Sequence, residues 1–430
     1  MSRAMKNSGI PWIGEIPEGW KVEILSVLFF EHKCKNIGMC EKNLLSLSYG
    51  NIIKKDINTS EGLLPESFET YNIIDKGDII LRLTDLQNDK RSLRTGLCKE
   101  KGIITSAYVC LRKRSTNSSE YFHYLFHAYD ICKVFYSYGG GVRQGMNYAD
   151  LRKMPIVFPP LSEQQAIADF LDKKCAEIDQ MVALQEKFIE ELKAYKQSLI
   201  TETVTKGLNP NAPMKDSGVE WIGEIPEGWK IMKLAFLTSK IGSGSTPTGG
   251  ANVYLHDGIK FLRSQNIYFE GLELSDVAYI SEEIDAEMKG TRVQSGDVLL
   301  NITGGSIGRC YFVDDKLGRA NVNQHVSIIR PKNIRTKYLK YQIQSFLGQH
   351  QIAMLQTGGN REGLSATSLS NFKILYPDFP EQQAIADYLD KKCAEIDQLI
   401  AVKQKKADEL KEYKKSIIYE YVTGKRSVCE

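Results

Sequence analysis

The sequence predicts an α/β protein built twice: two α/β domains separated by two long antiparallel coiled-coil helices, related as a pseudo-two-fold internal repeat. Three observations predict it. The stretch Glu163–Gln180 returns at Glu381–Gln398 with 17 of 18 positions identical, only Phe170 and Tyr388 differing. A frame around it returns as well: KNSGIPWIGEIPEGWKV at Lys6–Val22 and KDSGVEWIGEIPEGWKI at Lys215–Ile231, Gly77-Asp78 and Gly296-Asp297, Gly140–Gly145 and Gly358–Gly363. Between these anchors the halves differ almost completely; Tyr49–Ser60 shares little with Leu262–Gly271 beyond polar, aromatic character. Such a chain is read as two copies of one plan. Drift alone would not spare one helix, so one scaffold presenting two different surfaces is the better account.

The division expected is 1–160 for the first domain, 161–206 for the first long helix, 207–379 for the second domain, and 380–430 for the second helix and tail. Within the first domain Ile73–Thr84 reads as a turn and strand, Ile103–Leu111 as a further strand rich in β-branched residues, and Glu120–Val134 as an aromatic-rich helix. The counterparts are Gln294–Thr303, Val322–Arg330 and Lys337–Leu347. Pro159-Pro160 blocks an earlier start of the first long helix. Ser162 with Gln165 reads as its capping box, and Pro380 suits the first position of the second helix.

Apolar residues then recur at alternating steps of four and three, a heptad seam interrupted at Gln185 and Lys403. They are Leu171, Cys175, Ile178, Val182, Ile189 and Leu192 in the first helix, and Leu389, Cys393, Ile396, Ile400 and Leu410 in the second. We assign these residues to helix pairing. Antiparallel pairing would keep Cys175 from bonding to Cys393. Gly207 and Gly424 fall where left-handed C-terminal caps belong. A helix over about 163–204 would be roughly 60 Å long. Lys206–Gly218 reads as a linker, and the N-terminal residues up to Asn7 are expected beside the end of the second helix.

Each half of the 430 residues is long enough to bury its own core. No apolar run approaches the roughly 18 residues that span a bilayer, and no signal peptide is expected at the start. The nine cysteines form no C-x-x-C pair, which argues against zinc and a disulfide framework and for a reducing cytoplasm. Net charge is +3, distributed as +5 over 1–160, −3 over 161–206, +1 over 207–379 and zero over 380–430. The globular parts are the basic ones, which permits nucleic-acid binding.

Catalytic machinery is almost absent from the pattern. There is no Walker loop and no dinucleotide fingerprint after a strand. Gly242–Pro247 is glycine-rich, but Pro247 spoils a phosphate-binding helix start, and a turn is expected. His123 and His127 stand at zinc spacing without a neighbouring Glu or a third ligand. Asp276 with Glu287-Met-Lys289 is a weak echo of a metal-dependent nuclease. No catalytic residue, metal site or cofactor is assigned.

Groups suited to reading bases are more abundant. The first half offers Tyr49, Asn51, Arg82, Thr84, Gln87, Arg91 and Arg143, with Lys90 and Arg94 nearby; the second offers Arg263, Gln265, Asn266, Asn301, Thr303, Asn323, Gln324, His325 and Arg361, with Tyr268. Arginine presents a fork to guanine, and asparagine or glutamine presents one to adenine. Arg143 and Arg361 lie in glycine-rich loops through which backbone can approach a phosphate.

The order W-I-G-E-I-P-E-G-W, variable domain, P-P-L-S-E-Q-Q-A-I, and long helix ending V-T-K-G, followed by a second such set, resembles the specificity subunit of Type I restriction–modification systems. Pro159–Ile167 and Phe379–Ile385 carry the resemblance most strongly, with Gly77-Asp78, Gly296-Asp297 and Thr303–Gly308. The second copy has Phe379-Pro380 where the first has Leu161-Ser162, and the first has Thr84-Asp85-Leu86 in place of the Thr303–Gly308 loop. The resemblance implies a non-catalytic subunit whose α/β domains are target-recognition domains, each reading one half of a bipartite, asymmetric site in double-stranded DNA. It further implies that the helices set the spacing and dock methyltransferase subunits, two of them, with restriction subunits joining. Half-sites on one face of a duplex recur about every 34 Å, which a rod on the order of 60 Å can serve. The alternatives are a coiled-coil protein scaffold without DNA reading, and a two-lobed DNA methyltransferase or nuclease.

Overall fold

The structure is a computed structural model, and it describes residues 3–58, 67–86, 93–138, 145–356 and 363–428. The chain divides into two compact units: Met1–Glu186 with Lys405–Glu430, and Lys187–Gln404. Each unit therefore contains part of both long helices, Leu161–Lys206 and Phe379–Val422.

Each unit is mixed α/β around a four-stranded antiparallel sheet of the same order. In the first it runs Phe29–Glu31, Val109–Lys113, Ile79–Leu81, Thr95–Leu97; in the second, Thr238–Ser243, Val326–Pro331, Val298–Asn301, Cys310–Phe312. The expected single strands are each two short ones, Gly102–Ile104 with Val109–Lys113, and Ala320–Val322 with Val326–Pro331. The aromatic helices also divide, into Ser119–Ile131 with Val134–Tyr138, and Thr336–Gln344 with Phe346–Met354. Lys133 at φ 58° and the capping hydroxyl of Ser345 make the breaks. The expected linker contains a strand, Met214–Asp216, paired with Glu224–Pro226 just as Met5–Asn7 pairs with Glu15–Pro17.

The recurring motifs are joints. The Trp20 indole N–H donates to Glu163 Oε2 at 2.8 Å, and Trp229 donates to Glu381 Oε2 at 2.9 Å. The next residue completes each joint: Gln164 accepts from the Ser118 N–H and donates to the Pro159 carbonyl, and Gln382 accepts from Arg335 and donates to Pro377. Both glutamine side chains are buried, so all their bonds are needed. Tyr124 and Tyr341 donate to Asp172 and Asp390 at 2.7 and 2.8 Å. The Gly-Asp pairs act alike. Asp78 grips the Arg112 fork and caps Asp75 N–H; Asp297 grips Arg330 and caps Gln294 N–H. These bonds raise both guanidinium pKa values against the pull of burial.

Two helix starts differ from expectation. The first long helix begins at Leu161, and its opening N–H groups donate to the Pro160 carbonyl, so Ser162 lies inside it. The second begins at Phe379; Asp378 accepts from Glu381 N–H, which leaves Pro380 in the second position. The C-termini match the sequence: Gly207 and Gly424 each have φ 75°, and Lys425 N–H reaches the Glu420 carbonyl at 2.8 Å, a Schellman closure.

In the first unit, Leu171, Cys175, Ile178 and Val182 are buried in one core with Ile417, Ile418 and Val422. In the second, Leu389 and Cys393 are buried with Ile200 and Val204. Ile189 and Ile396 are buried, whereas Leu192, Ile400 and Leu410 are half-buried. Ion pairs link the helices within each unit: Lys414 to Asp179 and Lys411 to Glu186 in the first, Lys196 to Asp397 in the second. Cys175 and Cys393 are free thiols. Near the start, Trp12 accepts from Tyr419 through its carbonyl, and Arg3 shares a cavity with Arg426, so this end does meet the end of the second helix.

Candidate nucleic-acid interface

In the first unit, strands Leu45–Ser48 and Asn51–Lys54 form a hairpin closed by Tyr49-Gly50. Both turn residues have positive φ, 45° and 82°, the two-residue turn that suits strand twist. The positive φ favours glycine at Gly50, where a Cβ would also press on the Leu93 side chain at 3.1 Å. Tyr49 stands at the tip, 74% exposed, in a backbone conformation unfavourable to an aromatic residue. Asn51 is exposed beside it and donates to the Tyr49 carbonyl at 3.4 Å.

Arg82 and Thr84 leave the end of strand Ile79–Leu81, Arg82 half-buried and Thr84 exposed. The arginine beneath them is not a surface reader. Arg94 is fully buried and its guanidinium donates to the carbonyls of Thr84, Asp85 and Arg82 at 2.8, 3.2 and 3.3 Å. Its cation braces the loop from inside, stacked 5.5 Å from the Tyr136 ring. Gln87, Lys90, Arg91 and Arg143 lie outside the described residues. Just after those residues, Met146 N–H donates to the Leu83 carbonyl at the same edge, at 2.9 Å.

The second unit uses the same anchor and different contents. Leu364 N–H donates to the Ile302 carbonyl at 2.9 Å, which brings the exit of the Arg361 loop beside Thr303; Arg361 itself is outside the described residues. Asn323 N–H donates to Leu262 at 3.0 Å, and Asn301 Nδ2 donates to Ser264 at 2.8 Å. One edge thus collects Arg263, Gln265, Thr303, Gln324 and His325. Three expected readers lie inside the frame rather than on its surface. Asn266, Asn301 and Asn323 are buried. Asn266 closes its turn through the Arg263 N–H and the Glu273 carbonyl; Asn301 joins two loops; Asn323 accepts from the His325 N–H. Burial takes all three amides away from a base edge. Arg263 and Gln265 both donate to Asp276, at 2.7 Å.

Sequence reasoning missed two members. Thr246 is exposed and hydrogen-bonds Gln324 Oε1. Arg309 lies 4.8 Å from the Tyr268 ring. The glycine-rich Gly242–Pro247 stretch held the clue to the first: a Cβ on Gly244 would strike the Val322 carbonyl at 2.0 Å, so this glycine exists to press the loop carrying Thr246 onto the edge.

Among the described residues one group, His32, Asp75 and Asp78, has metal-ligand proximity. The Arg112 fork occupies both carboxylates at 2.7 Å, so a cation is already supplied there. His123 and His127 sit half-buried on helix Ser119–Ile131. Burial first, then the other histidine and Lys99, lowers His123 to about 3; burial and Lys414 lower His127 to about 4.

The family model for the Type I restriction modification DNA specificity domain matches residues 42–194 and 226–412. The chain belongs to that family. The MjaVIII specificity subunit of a type I restriction enzyme from Methanocaldococcus jannaschii is 28% identical over 76% of this chain and 75% of its own length. The putative MjaX specificity subunit of the same organism is 26% identical over 96% and 95%. The EcoBI specificity subunit of Escherichia coli is 27% identical over 56% and 52%. Two solved structures share the fold. A chain from a study of complex assembly and conformational transition of the type I R-M system has TM-score 0.68 at 15% identity, over 95% of this chain and 98% of that one. The HsdS subunit from Thermoanaerobacter tengcongensis has TM-score 0.51 at 16% identity, over 96% and 98%. A DNA-specificity subunit with two target-recognition domains is the reading these likenesses support, against a scaffold without DNA reading or a two-lobed enzyme. No helix among the described residues is long and apolar enough to cross a membrane.

Proposed function

We propose that each unit reads one half of a bipartite, asymmetric duplex sequence, and that the chain brings two methyltransferase subunits and the restriction subunits to it without itself catalysing a reaction. The observation that carries this is the repeated anchor with unlike contents. Met146–Leu83 and Leu364–Ile302 are one bond used twice, yet Tyr49, Asn51, Arg82 and Thr84 stand at one edge where Arg263, Gln265, Thr303, Gln324 and His325 stand at the other. Arg143 and Arg361 are assigned to phosphate contacts, and Gln87 and Arg91 to the first half-site, on their sequence pattern alone.

On this reading residues 1–160 and 207–379 are the target-recognition domains, and 161–206 and 380–430 are the spacing helices. The helices pair antiparallel along the seam as a coiled coil about a pseudo-two-fold. The ion pairs support this, since residues early in one helix meet residues late in the other. Exposed Met181, Leu184, Phe188 and Tyr195, with Leu399, Val402 and Tyr413, offer apolar surface to methyltransferase subunits. The free thiols suit a reducing cytoplasm.

The test is selection from a randomised duplex pool by the chain co-purified with its methyltransferase subunit. Two short, unlike motifs at a fixed gap are expected. A single motif would show that one unit does not read, and no enrichment by an intact complex would reject DNA reading.

A further inference from the structure

We propose that Thr246, Gln324, His325 and Thr303 form a reversible hydrogen-bond chain that makes the second unit read two positions of its half-site as a coupled pair. The proposal rests on the DNA-reading function above and deepens it.

The four side chains are joined end to end. Thr303 Oγ1 lies 2.6 Å from His325 Nδ1, Gln324 Nε2 lies 2.9 Å from His325 Nε2, and Thr246 Oγ1 bonds Gln324 Oε1. A neutral imidazole carries one N–H and one lone pair, so the chain has a direction. With the proton on Nδ1, the ring donates to Thr303 and accepts from the Gln324 amide, whose carbonyl accepts the Thr246 proton. Thr303 then keeps its own proton for an outside acceptor, and Thr246 offers only lone pairs. With the proton on Nε2 and the amide turned over, every bond reverses. The ring donates to the Gln324 carbonyl, the amide nitrogen donates to Thr246, and Thr303 donates to Nδ1. Thr246 now donates outward and Thr303 accepts. The two amide orientations have nearly the same shape, so both directions fit. Mixed directions would set two lone pairs or two protons against each other.

The surroundings hold the chain in place, with one end, Thr246, exposed and the other, Thr303, half-buried. Ile302 N–H donates to the His325 carbonyl at 3.0 Å, and Gly244 N–H donates to Val326 at 2.9 Å. A Cβ on Gly363 would meet Thr303 Cγ2 at 2.4 Å, so that loop presses on the methyl group and turns the hydroxyl toward the histidine. Thr246 and Gln324 are exposed.

A lone threonine hydroxyl reads either a donor or an acceptor on a base edge. Linked through Gln324 and His325, the two hydroxyls must take opposite senses. The second half-site should therefore contain two positions that covary. An accepting edge group, such as guanine O6 or thymine O4, pairs with a donating one, adenine N6 or cytosine N4, in either order. Like-sense combinations are depleted roughly tenfold, the cost of one unmatched hydrogen bond.

The experiment is sequence selection with the full chain bound to its methyltransferase subunit, comparing wild type with Gln324→Leu, Thr246→Val and Thr246→Ser. Gln324→Leu should abolish the covariation while both positions stay in the motif. Thr246→Val should erase preference at one position, and Thr246→Ser should retain it. The first unit's motif reports that each variant is folded and bound. Two motifs without covariation in the wild type, or covariation that survives Gln324→Leu, overturns the chain and leaves the DNA-reading function standing. Absence of any motif overturns both.

Discussion

The joints where the domains meet the long helices and the edges that carry the loops have had opposite histories within one chain. At the joints the same bonds recur: Trp20 to Glu163 and Trp229 to Glu381, Gln164 to Ser118 and Gln382 to Arg335. At the edges the backbone anchors recur while most of the described side chains differ. The indoles and glutamines of the joints are buried and their polar atoms need specific partners, so one substitution strands another group. The edges face solvent, where a side chain can change without leaving anything unpaired. Recognition can therefore vary on a frame that cannot.

The largest effect should come from cutting a joint. Trp20→Ala removes a fully buried indole and orphans part of Glu163, costing about 3–5 kcal/mol; chemical denaturation of the full chain should show the loss, and Trp229→Ala should cost about as much. If either proves neutral, the joint is not what holds the helix. Asp297→Ala comes next. It leaves Arg330 without its fork partner, at a cost of about 3 kcal/mol, and equal stability of the variant would reassign the Gly-Asp motif to something other than this ion pair.

Acid should separate the units. His123 and His127 titrate at about 3 and 4 when folded and near 6.5 when unfolded. Their folded values are the lower ones, so the unfolded state binds protons first and stability falls as pH drops from about 6.5 toward 4. By linkage the loss at pH 5 is about 1–2 kcal/mol per histidine. In the second unit Lys340 takes the place of His123, so that unit has no imidazole at this position; burial lowers the lysine's pKa from its ordinary value. Thermal denaturation from pH 7.5 to 5 should show the first unit weakening more. His123→Gln should reduce that slope, and an unchanged slope would count against this origin.

The smallest stability effect belongs to the loops. Tyr49→Asn replaces an aromatic at φ 45° with a residue that tolerates it, so stability should stay within about 0.5 kcal/mol of wild type. Selection of the first half-site should weaken while the second motif is unaffected. Equal loss of both motifs would indicate a disturbed complex rather than a lost contact.

Much of the architecture was legible because it is periodic or duplicated. Leu171, Cys175, Ile178 and Val182 announce their buried stripe by spacing alone, and Gly207 and Gly424 announce their caps. The candidate site was less legible. Asn266, Asn301 and Asn323 look like base readers in the sequence and are buried braces; Arg94 is another. Composition cannot separate an amide that binds backbone from one that faces solvent. Thr246 carried no signal of its own, since only the close approach at Gly244 explains its place.

By itself the sequence determined that the chain is a duplicated frame with divergent inserts, where the long helices run to within a few residues, and which loops are rich in polar and aromatic groups. These are local or repeated properties, set by spacing, turn chemistry and identity between halves. Only the tertiary structure decided which polar residues are consumed inside the frame and which remain at its edge. That choice depends on which carbonyls and carboxylates other parts of the chain bring within about 3 Å, and no local pattern encodes those meetings.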